Sequence, residues 1–214
     1  MKTYLFDFDG TLVDSMPYFI SGVLTELDKA NCKYGDDLIK IITPLGFAGT
    51  ADYFIKTFGL NITVEDLVQA FKDNMANAYF YNIPAKNNVI NVLKELKNNG
   101  ASLNVLTASP HITLDACLKR LGIFDLFDNV WSCDDFNTTK ANPEIYKMVA
   151  KELEVKVSDV LFLDDNLNAD LTAKAAGMKV CGVYDKSSHD YIDQMKDACD
   201  FYIFDFEELP KIEF

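Results

Sequence analysis

The chain has 214 residues, 49% of them apolar, and carries a formal net charge of −13. Nucleic acids and anionic membrane surfaces attract basic proteins, so this acidic balance argues against both as partners. The length and apolar content favour one globular domain, or one domain that carries an insertion.

Three features of the sequence bear on where the protein works. No apolar run approaches the roughly 18–20 residues that span a bilayer. No cleavable leader precedes the first predicted strand. The five cysteines are scattered and lack paired metal-ligand spacing, as is typical of reduced thiols. We therefore expect a cytoplasmic protein.

The first predicted element is a strand at residues 3–8, and a long helical stretch follows it. Amphipathic patterns recur in this stretch at residues 17–30, 36–42, 49–58 and 64–80. Prolines interrupt the pattern near residues 15–17 and 83–86, which we interpret as hinges. The sequence thus predicts a core domain of residues 1–14 and 86–214, with residues 15–85 inserted as a helical domain.

The rest of the chain alternates between strands and helices. Helical periodicity is clearest at 88–96 and 143–153, and the further strands are predicted at residues 102–107, 128–132, 159–164, 179–184 and 200–204. Such alternation indicates a parallel sheet with helices on both faces.

Two carboxylates, Asp7 and Asp9, follow the first strand beside Gly10. Residues two apart in a strand project to the same side, and ligand sites of open α/β sheets form at the carboxyl ends of strands. Both carboxylates are therefore predicted to reach one site. The alternative is a plain Asp-Gly turn, but residues 11–15 continue into a helical pattern and not into a returning strand.

Two later segments place anion-binding groups before predicted helices. The strand at 102–107 ends in Thr107-Ala108-Ser109-Pro110, which suits a helix cap and equally an anion site, because free N–H groups at a helix start bind phosphate. Lys140 precedes a helix start at Asn142-Pro143-Glu144. Taken alone, Lys140 would be interpreted as a solvated surface lysine.

The strand at 159–164 ends in an acidic cluster. Asp164 and Asp165 are adjacent, and Asp170 follows five residues later. One such acid is readily explained as a helix cap, but three clustered carboxylates favour a hard cation such as Mg²⁺, which prefers oxygen ligands.

Together the four segments resemble the motifs of the haloacid dehalogenase superfamily over nearly the whole chain. Its DxDxT motif is met by Asp7-Phe8-Asp9-Gly10-Thr11, its strand-end hydroxyl by Thr107 and its lysine by Lys140; its acidic strand end is met by Asp164, Asp165 and Asp170. Two departures are visible. The third motif, often KPxP, reads Lys140-Ala141-Asn142-Pro143, and Asp164 stands where glycine is usual.

This resemblance implies a fold. It is an α/β fold with a Rossmann-like three-layer α/β/α core, a parallel sheet of order resembling 5-4-1-2-3, and a helical cap inserted after the first strand. A cap of residues 15–85 is similar to the C1 cap of the phosphoglycolate phosphatase-like branch. The cap would close over the leaving group and set specificity. Residues 43–50 are a candidate substrate-facing loop, although ordinary packing explains their composition equally well.

The resemblance also implies an activity, namely Mg²⁺-dependent hydrolysis of a small phosphorylated metabolite. Asp7 would attack phosphorus and form an aspartyl-phosphate, and Asp9 would serve as general acid and then as general base. Thr107, Ala108, Ser109 and Lys140 would bind the phosphoryl oxygens.

The same resemblance implies a set of metal ligands. Mg²⁺ would be held by Asp7, the carbonyl group of Asp9 and Asp165, and either Asp164 or Asp170 would orient its waters. We expect a monomer or weak homodimer.

Several other functions share parts of this pattern. A response-regulator receiver places its acidic pair before the phosphoacceptor, which is the reverse of the order here. Asp9 disfavours a dehalogenase or a phosphonatase-like enzyme, and the intact acids disfavour a non-catalytic binding protein. A sugar phosphomutase of the β-phosphoglucomutase type keeps both aspartates and the same cap type, and it stays the main alternative.

Overall fold

A computed structural model describes residues 2–42 and 45–214, which fall into two compact units. One unit contains the chain up to Asp14 together with Pro84–Phe214, and the other is Ser15–Ile83. The first boundary lies where the sequence predicts it, and the second lies two residues before the predicted residue 86.

The larger unit is built on one parallel sheet of six strands. The strands are β1 (Thr3–Phe6), β2 (Ser102–Thr107), β3 (Asn129–Ser132), β4 (Val160–Asp164), β5 (Lys179–Val183) and β6 (Phe201–Ile203). Their order is β3-β2-β1-β4-β5-β6. The predicted order 5-4-1-2-3 is confirmed, and β6 extends the sheet beyond β5. Since the chain builds outward from β1 in one direction and then returns to its other side, β1 lies at the topological switch point.

Nine α-helices occur in the part of the chain that the structure describes. They are α1 (Met16–Lys29), α2 (Asp37–Ile42), α3 (Gly46–Phe58), α4 (Val64–Tyr81), α5 (Val89–Asn98), α6 (His111–Arg120), α7 (Glu144–Glu152), α8 (Leu167–Ala176) and α9 (Ile192–Ala198). Helices α5 to α9 belong to the sheet unit, and the Rossmann-like α/β/α architecture is confirmed. None of the helices in the described ranges is both long and apolar enough to cross a membrane.

Burial explains why these segments form the core. All four residues of β1 are buried, as parallel strands covered on both faces require. Helix α5 buries Val89, Val92, Leu93 and Leu96, a spacing that places one apolar stripe against the sheet. Four of the five cysteines are buried, and all five are free thiols.

The smaller unit consists of α1 to α4 around its own apolar cluster, which includes Leu27, Phe54 and Phe71. The four helices agree with the predicted helical patterns, except that α3 begins at Gly46, three residues before the predicted start. Residues 46–50 of the candidate substrate-facing loop are therefore helical. Thr43 and Pro44 of the same loop lie outside the described residues.

Candidate active site

The carboxyl ends of three neighbouring strands bring polar side chains together. Asp7 directly follows β1, Thr107 ends β2 and Asp164 ends β4. The N–H group of Asp7 donates to the carbonyl of Leu163 at 2.8 Å, which continues the pairing of β1 with β4 up to the site. Asp7, Thr107 and Asp164 are all buried. Since polar groups are costly to bury without partners, their contacts define the site.

Lys140 connects two of these carboxylates. Its Nζ donates to Asp7 Oδ1 at 2.6 Å and to Asp164 Oδ2 at 2.7 Å, and its side chain is only 17% exposed. Burial alone would lower the pKa of Lys140, but the charges of Asp164 and Asp7 hold this pKa well above its usual range. The hydroxyl of Tyr146 donates to the carbonyl of Lys140 at 3.1 Å and helps to fix the loop. The lysine is therefore a buried cation and not a surface residue.

Asp165 joins Asp7 and Asp164 in a group of three buried carboxylates, with ligand oxygens that lie within 4.8 Å of one another. Burial and the charge of Asp7 raise the pKa of Asp164 to about 7, although Lys140 opposes the shift. Burial, followed by the charge of Asp164, holds the pKa of Asp165 well above its usual range. Burial disfavours the charged form of both carboxyl groups, and the negative charge of a neighbouring carboxylate adds to this effect.

Asp9 lies on the tight turn after β1. Gly10 has a φ of +76°, and the N–H groups of Leu12 and Val13 both donate to the carbonyl of Phe8 at 2.9 and 3.0 Å. A Cβ on Gly10 would lie 2.3 Å from Asp165 Oδ2, so the absence of a side chain lets the turn approach the carboxylates. The turn thereby brings Asp9 to the site.

The β2 end contacts Asp9 through Ser109. Ser109 Oγ donates to Asp9 Oδ2 at 2.6 Å, and the Ser109 N–H group donates to Thr107 Oγ1 at 3.1 Å. Ala108 is exposed between them. Of the predicted phosphate-binding residues, Ser109 therefore also positions Asp9.

Asp170 lies apart from the group of three carboxylates. It is fully buried in the first turn of α8, where its Oδ2 accepts a hydrogen bond from Cys199 Sγ at 3.2 Å. Its Oδ1 has no hydrogen-bond partner among the described residues. Burial, together with the charge of Asp164, holds the pKa of Asp170 well above its usual range. The sequence left Asp164 and Asp170 as alternatives for orienting the waters of a metal ion, and of the two only Asp164 belongs to the group of three carboxylates found among the described residues.

Two side chains make contacts at the site that were not predicted. Thr11 Oγ1 donates to Asp165 Oδ1 at 3.2 Å, although Thr11 had been noted only as part of the first motif. Lys86 Nζ donates to the carbonyls of Gly10 at 2.6 Å and of Tyr184 at 2.5 Å. Nothing in the sequence signals the two contacts of Lys86, because carbonyl acceptors are the same at every residue.

Comparisons with known proteins agree with this geometry. A family model described as haloacid dehalogenase-like hydrolase matches residues 4–183. YhcW of Bacillus subtilis (strain 168), provisionally named a phosphatase, is 30% identical over 185 residues, covering 84% of this chain and 81% of YhcW. The pyrophosphatase PpaX of Bacillus velezensis is 29% identical over 181 residues, covering 84% of this chain and 81% of PpaX.

A solved structure shows the same fold. A Thermotoga maritima protein, provisionally assigned as a β-phosphoglucomutase, matches with a TM-score of 0.85 at 20% identity, with 100% of each chain covered. At 20% identity, this similarity shows only that the two proteins share a fold. Because the family model covers most of the chain and the four motifs meet at one edge of the sheet, this chain belongs to the haloacid dehalogenase-like hydrolases.

Proposed function

We propose that the protein is a Mg²⁺-dependent phosphatase that hydrolyses a small phosphorylated metabolite through an aspartyl-phosphate on Asp7. The observation that carries this proposal is the convergence of Lys140 with the buried carboxylates at the ends of β1 and β4. Phosphoryl transfer depends chiefly on positioning and charge neutralisation, and this arrangement provides both.

Asp7 and Asp9 would divide the chemistry into two steps. In the first, an oxygen of Asp7 bonds to phosphorus while the bond to the leaving oxygen breaks, and Asp9 gives that oxygen a proton. In the second, Asp9 takes a proton from water, the water oxygen bonds to phosphorus, and the Asp7–phosphorus bond breaks to release phosphate. The hydrogen bond from Ser109 to Asp9 supports this role, because it fixes the orientation of the carboxyl group.

The charge balance of the site fits a divalent cation. When ionised, Asp7, Asp164 and Asp165 carry −3, and Lys140 carries +1, so the group sums to −2. All the ligands are oxygen atoms, which suits Mg²⁺. We infer that Asp7, the carbonyl of Asp9 and Asp165 would hold the ion, with Asp164 beside them. When bound, Mg²⁺ supplies positive charge that reduces the repulsion between the nucleophilic carboxylate and the phosphoryl oxygens.

Thr107 and Lys140 would bind the phosphoryl group. Because Lys140 is already held between two carboxylates, binding a phosphoryl oxygen costs it less side-chain entropy than it would cost a mobile lysine. Thr107 is held at the strand end by the N–H group of Ser109. That Ala108 also binds the phosphoryl group, and that the helical unit acts as a cap, are predictions. The PpaX relative is named a pyrophosphatase, which makes pyrophosphate a further substrate to test.

A sugar phosphomutase is the alternative, because the β-phosphoglucomutase-like fold matches well. A mutase must also hold the second phosphate of a bisphosphate sugar, and arginine is the side chain best suited to that task. Residues 15–83 contain no arginine. We therefore favour hydrolysis, and a bisphosphate-dependent isomerisation assay separates the two.

Phosphate release from an aryl phosphate, a panel of phosphorylated metabolites and pyrophosphate tests the proposal, with Mg²⁺ and then with EDTA. We expect release that requires the metal and that disappears in Asp7→Asn. Asp159→Asn is the matched control, because Asp159 is exposed and directly precedes β4, at the opposite end of that strand from Asp164. Wild-type turnover in Asp7→Asn, or undiminished turnover in EDTA, would contradict the proposal.

A further inference from the structure

Lys86 is a partly buried lysine with three acceptors, all within the sheet unit. Besides the carbonyls of Gly10 and Tyr184, its Nζ contacts Asp185 Oδ2 at 3.0 Å. The side chain is 17% exposed and that of Asp185 is 5% exposed. An ammonium group has three N–H donors, so these contacts satisfy all of them.

The contact with Gly10 connects Lys86 to the turn that carries the catalytic pair. Gly10 directly follows Asp9, and its own N–H group donates to the carbonyl of Val13 at 3.0 Å. On one side the turn packs against Asp165, so closely that a Cβ on Gly10 would clash. On the other side its carbonyl is held by Lys86. The turn is thus fixed between two charged side chains.

The backbone around Lys86 strengthens this connection. The N–H group of Lys86 donates to the carbonyl of Leu12 at 3.0 Å, and the N–H group of Asp14 donates to the carbonyl of Pro84 at 3.0 Å. Val13 and Ala85 form an antiparallel bridge. The segment 84–86 therefore runs beside the turn, and Lys86 reaches from it to the end of β5, where Tyr184 and Asp185 follow the strand.

We propose that Lys86 is a positioning residue, which holds the Asp7–Asp9 turn in its reactive geometry through the carbonyl of Gly10. This inference rests on the proposed function. In that reaction Asp7 attacks phosphorus while Asp9 protonates the leaving oxygen, so the two carboxyl groups must keep a fixed relative position. Lys86 touches neither carboxylate of this pair in the contacts described above. It acts through the carbonyl group of Gly10, which directly follows Asp9, and connects that carbonyl to the end of β5.

Two roles of Lys86 can be separated, because it also neutralises the buried carboxylate of Asp185. Lys86→Met removes both the charge pair and the contact with Gly10. In Lys86→Met/Asp185→Asn the unpaired buried charge is removed as well, so the stability lost through the ion pair should return. Asp185→Asn alone keeps the Gly10 contact. Lys97→Met is a matched control, since Lys97 pairs with Asp128 at a more exposed position.

The experiment measures kcat, KM and thermal unfolding for these four variants and for Lys86→Arg. We expect kcat of Lys86→Met to fall about 10–100-fold, as for other residues that orient a reactive group, with KM changed by less than about 3-fold. The double variant should regain stability but not kcat, and Lys86→Arg should regain part of kcat. Asp185→Asn and Lys97→Met should retain wild-type kcat. Recovery of wild-type kcat in the double variant would overturn the proposal.

Hydrogen–deuterium exchange of the peptide covering residues 7–14 is a readout that does not depend on activity. We expect faster exchange in Lys86→Met and in the double variant, and wild-type exchange in Asp185→Asn and Lys97→Met. Unchanged exchange in Lys86→Met would overturn the proposal even if activity changed. If the wild type hydrolysed no phosphate ester or pyrophosphate, the proposed function would fail, and the exchange data would still decide whether Lys86 holds the turn.

Discussion

At the scale of single residues, Lys140 determines the charge balance of the site. It is the cation that touches both Asp7 and Asp164, and all three side chains are largely withdrawn from water. Ions are costly to bury, so a buried pair contributes little net stability over an apolar replacement. Removing only the cation is different, because the carboxylates that remain are both unpaired and close to each other.

Lys140→Met is therefore expected to lower the free energy of unfolding of the metal-free protein at neutral pH by about 3–5 kcal/mol. Phosphate release should fall to background. Urea titration and an activity assay measure the two effects. Lys147→Met is the control, since Lys147 pairs with Glu144 on the surface and such pairs contribute about 0–1 kcal/mol. Equal urea midpoints for the two variants would show that Lys140 is not a buried charge.

Gly10 provides a second test at this scale. A non-glycine residue at positive φ costs about 1–2 kcal/mol, and at Gly10 a Cβ would in addition meet Asp165 at 2.3 Å. Gly10→Ala should therefore unfold at a lower urea concentration than the wild type and lose activity. Gly100 has a φ of +80° with open space where a Cβ would be, so Gly100→Ala should show the backbone cost alone and keep activity. Similar losses of activity in both variants would contradict the assigned clash.

At the scale of secondary structure, the site forms where strands end and helices begin. The junction of β4 and α8 shows how. Asp164 Oδ1 accepts a hydrogen bond from the N–H group of Asn166 at 2.8 Å, and the Asn166 side chain caps α8 by accepting from the N–H groups of Asn168 and Ala169. The cap thus fixes the start of α8 and the orientation of Asp164 together.

Asn166→Ala should lower the free energy of unfolding by about 1 kcal/mol, as expected for a lost N-cap, and should also lower kcat because Asp164 and Asp165 lose a fixed neighbour. Thr63→Ala removes a comparable cap from α4, where Thr63 Oγ1 accepts from the N–H group of Asp66 at 3.1 Å. We expect a similar cost with kcat unchanged. Denaturation and steady-state kinetics compare the two, and a full kcat in Asn166→Ala would rule out the positioning effect.

The sequence predicts the elements better than it predicts side-chain directions. The strands and the order of their ends follow from apolar runs and motif positions, which depend on local residues. Asp170 shows the limit, because the packing of α8 against β5 and α9, and not the spacing of acids, directs its side chain towards Cys199. Lys86 shows another limit. Its acceptors are Gly10, Tyr184 and Asp185, which are distant in sequence and become neighbours only when the sheet forms.

At the scale of the whole molecule, the net charge of −13 and the buried carboxylates both favour a folded state that is more stable at lower pH. Burial raises the pKa of Asp164 to about 7 and holds the pKa values of Asp165 and Asp170 well above the ordinary 3.8. A carboxyl group with a higher pKa in the folded state binds its proton more readily there. Its contribution therefore stabilises the fold increasingly as pH falls from about 7 towards 4.

Two further groups contribute to the pH dependence of stability. Hydrogen bonds to Asp115 and Asp135 raise the pKa of His111 above 6.5, so its contribution is present at low pH and is lost as pH rises through the folded-state pKa. Burial would raise the pKa of Asp185, but Ser187 and Lys86 hold it below 3.8. Its stabilising contribution is lost only under more acidic conditions. The metal-free protein should accordingly be most stable on the acid side of neutrality.

We expect the midpoint of thermal unfolding in EDTA to be higher at about pH 5.5 than at about pH 7.5, because the buried carboxyl groups are protonated at the lower pH. Mg²⁺ should reverse this order. The ion competes with protons for the same oxygens, so it should raise the midpoint strongly at the higher pH and weakly at the lower one. Scanning calorimetry at both pH values, with EDTA and with Mg²⁺, measures the four midpoints, and Asp165→Asn is the variant in which the response to Mg²⁺ should shrink. An EDTA midpoint that falls on acidification would show that these carboxyl groups are already stabilised in their charged form by the protein alone.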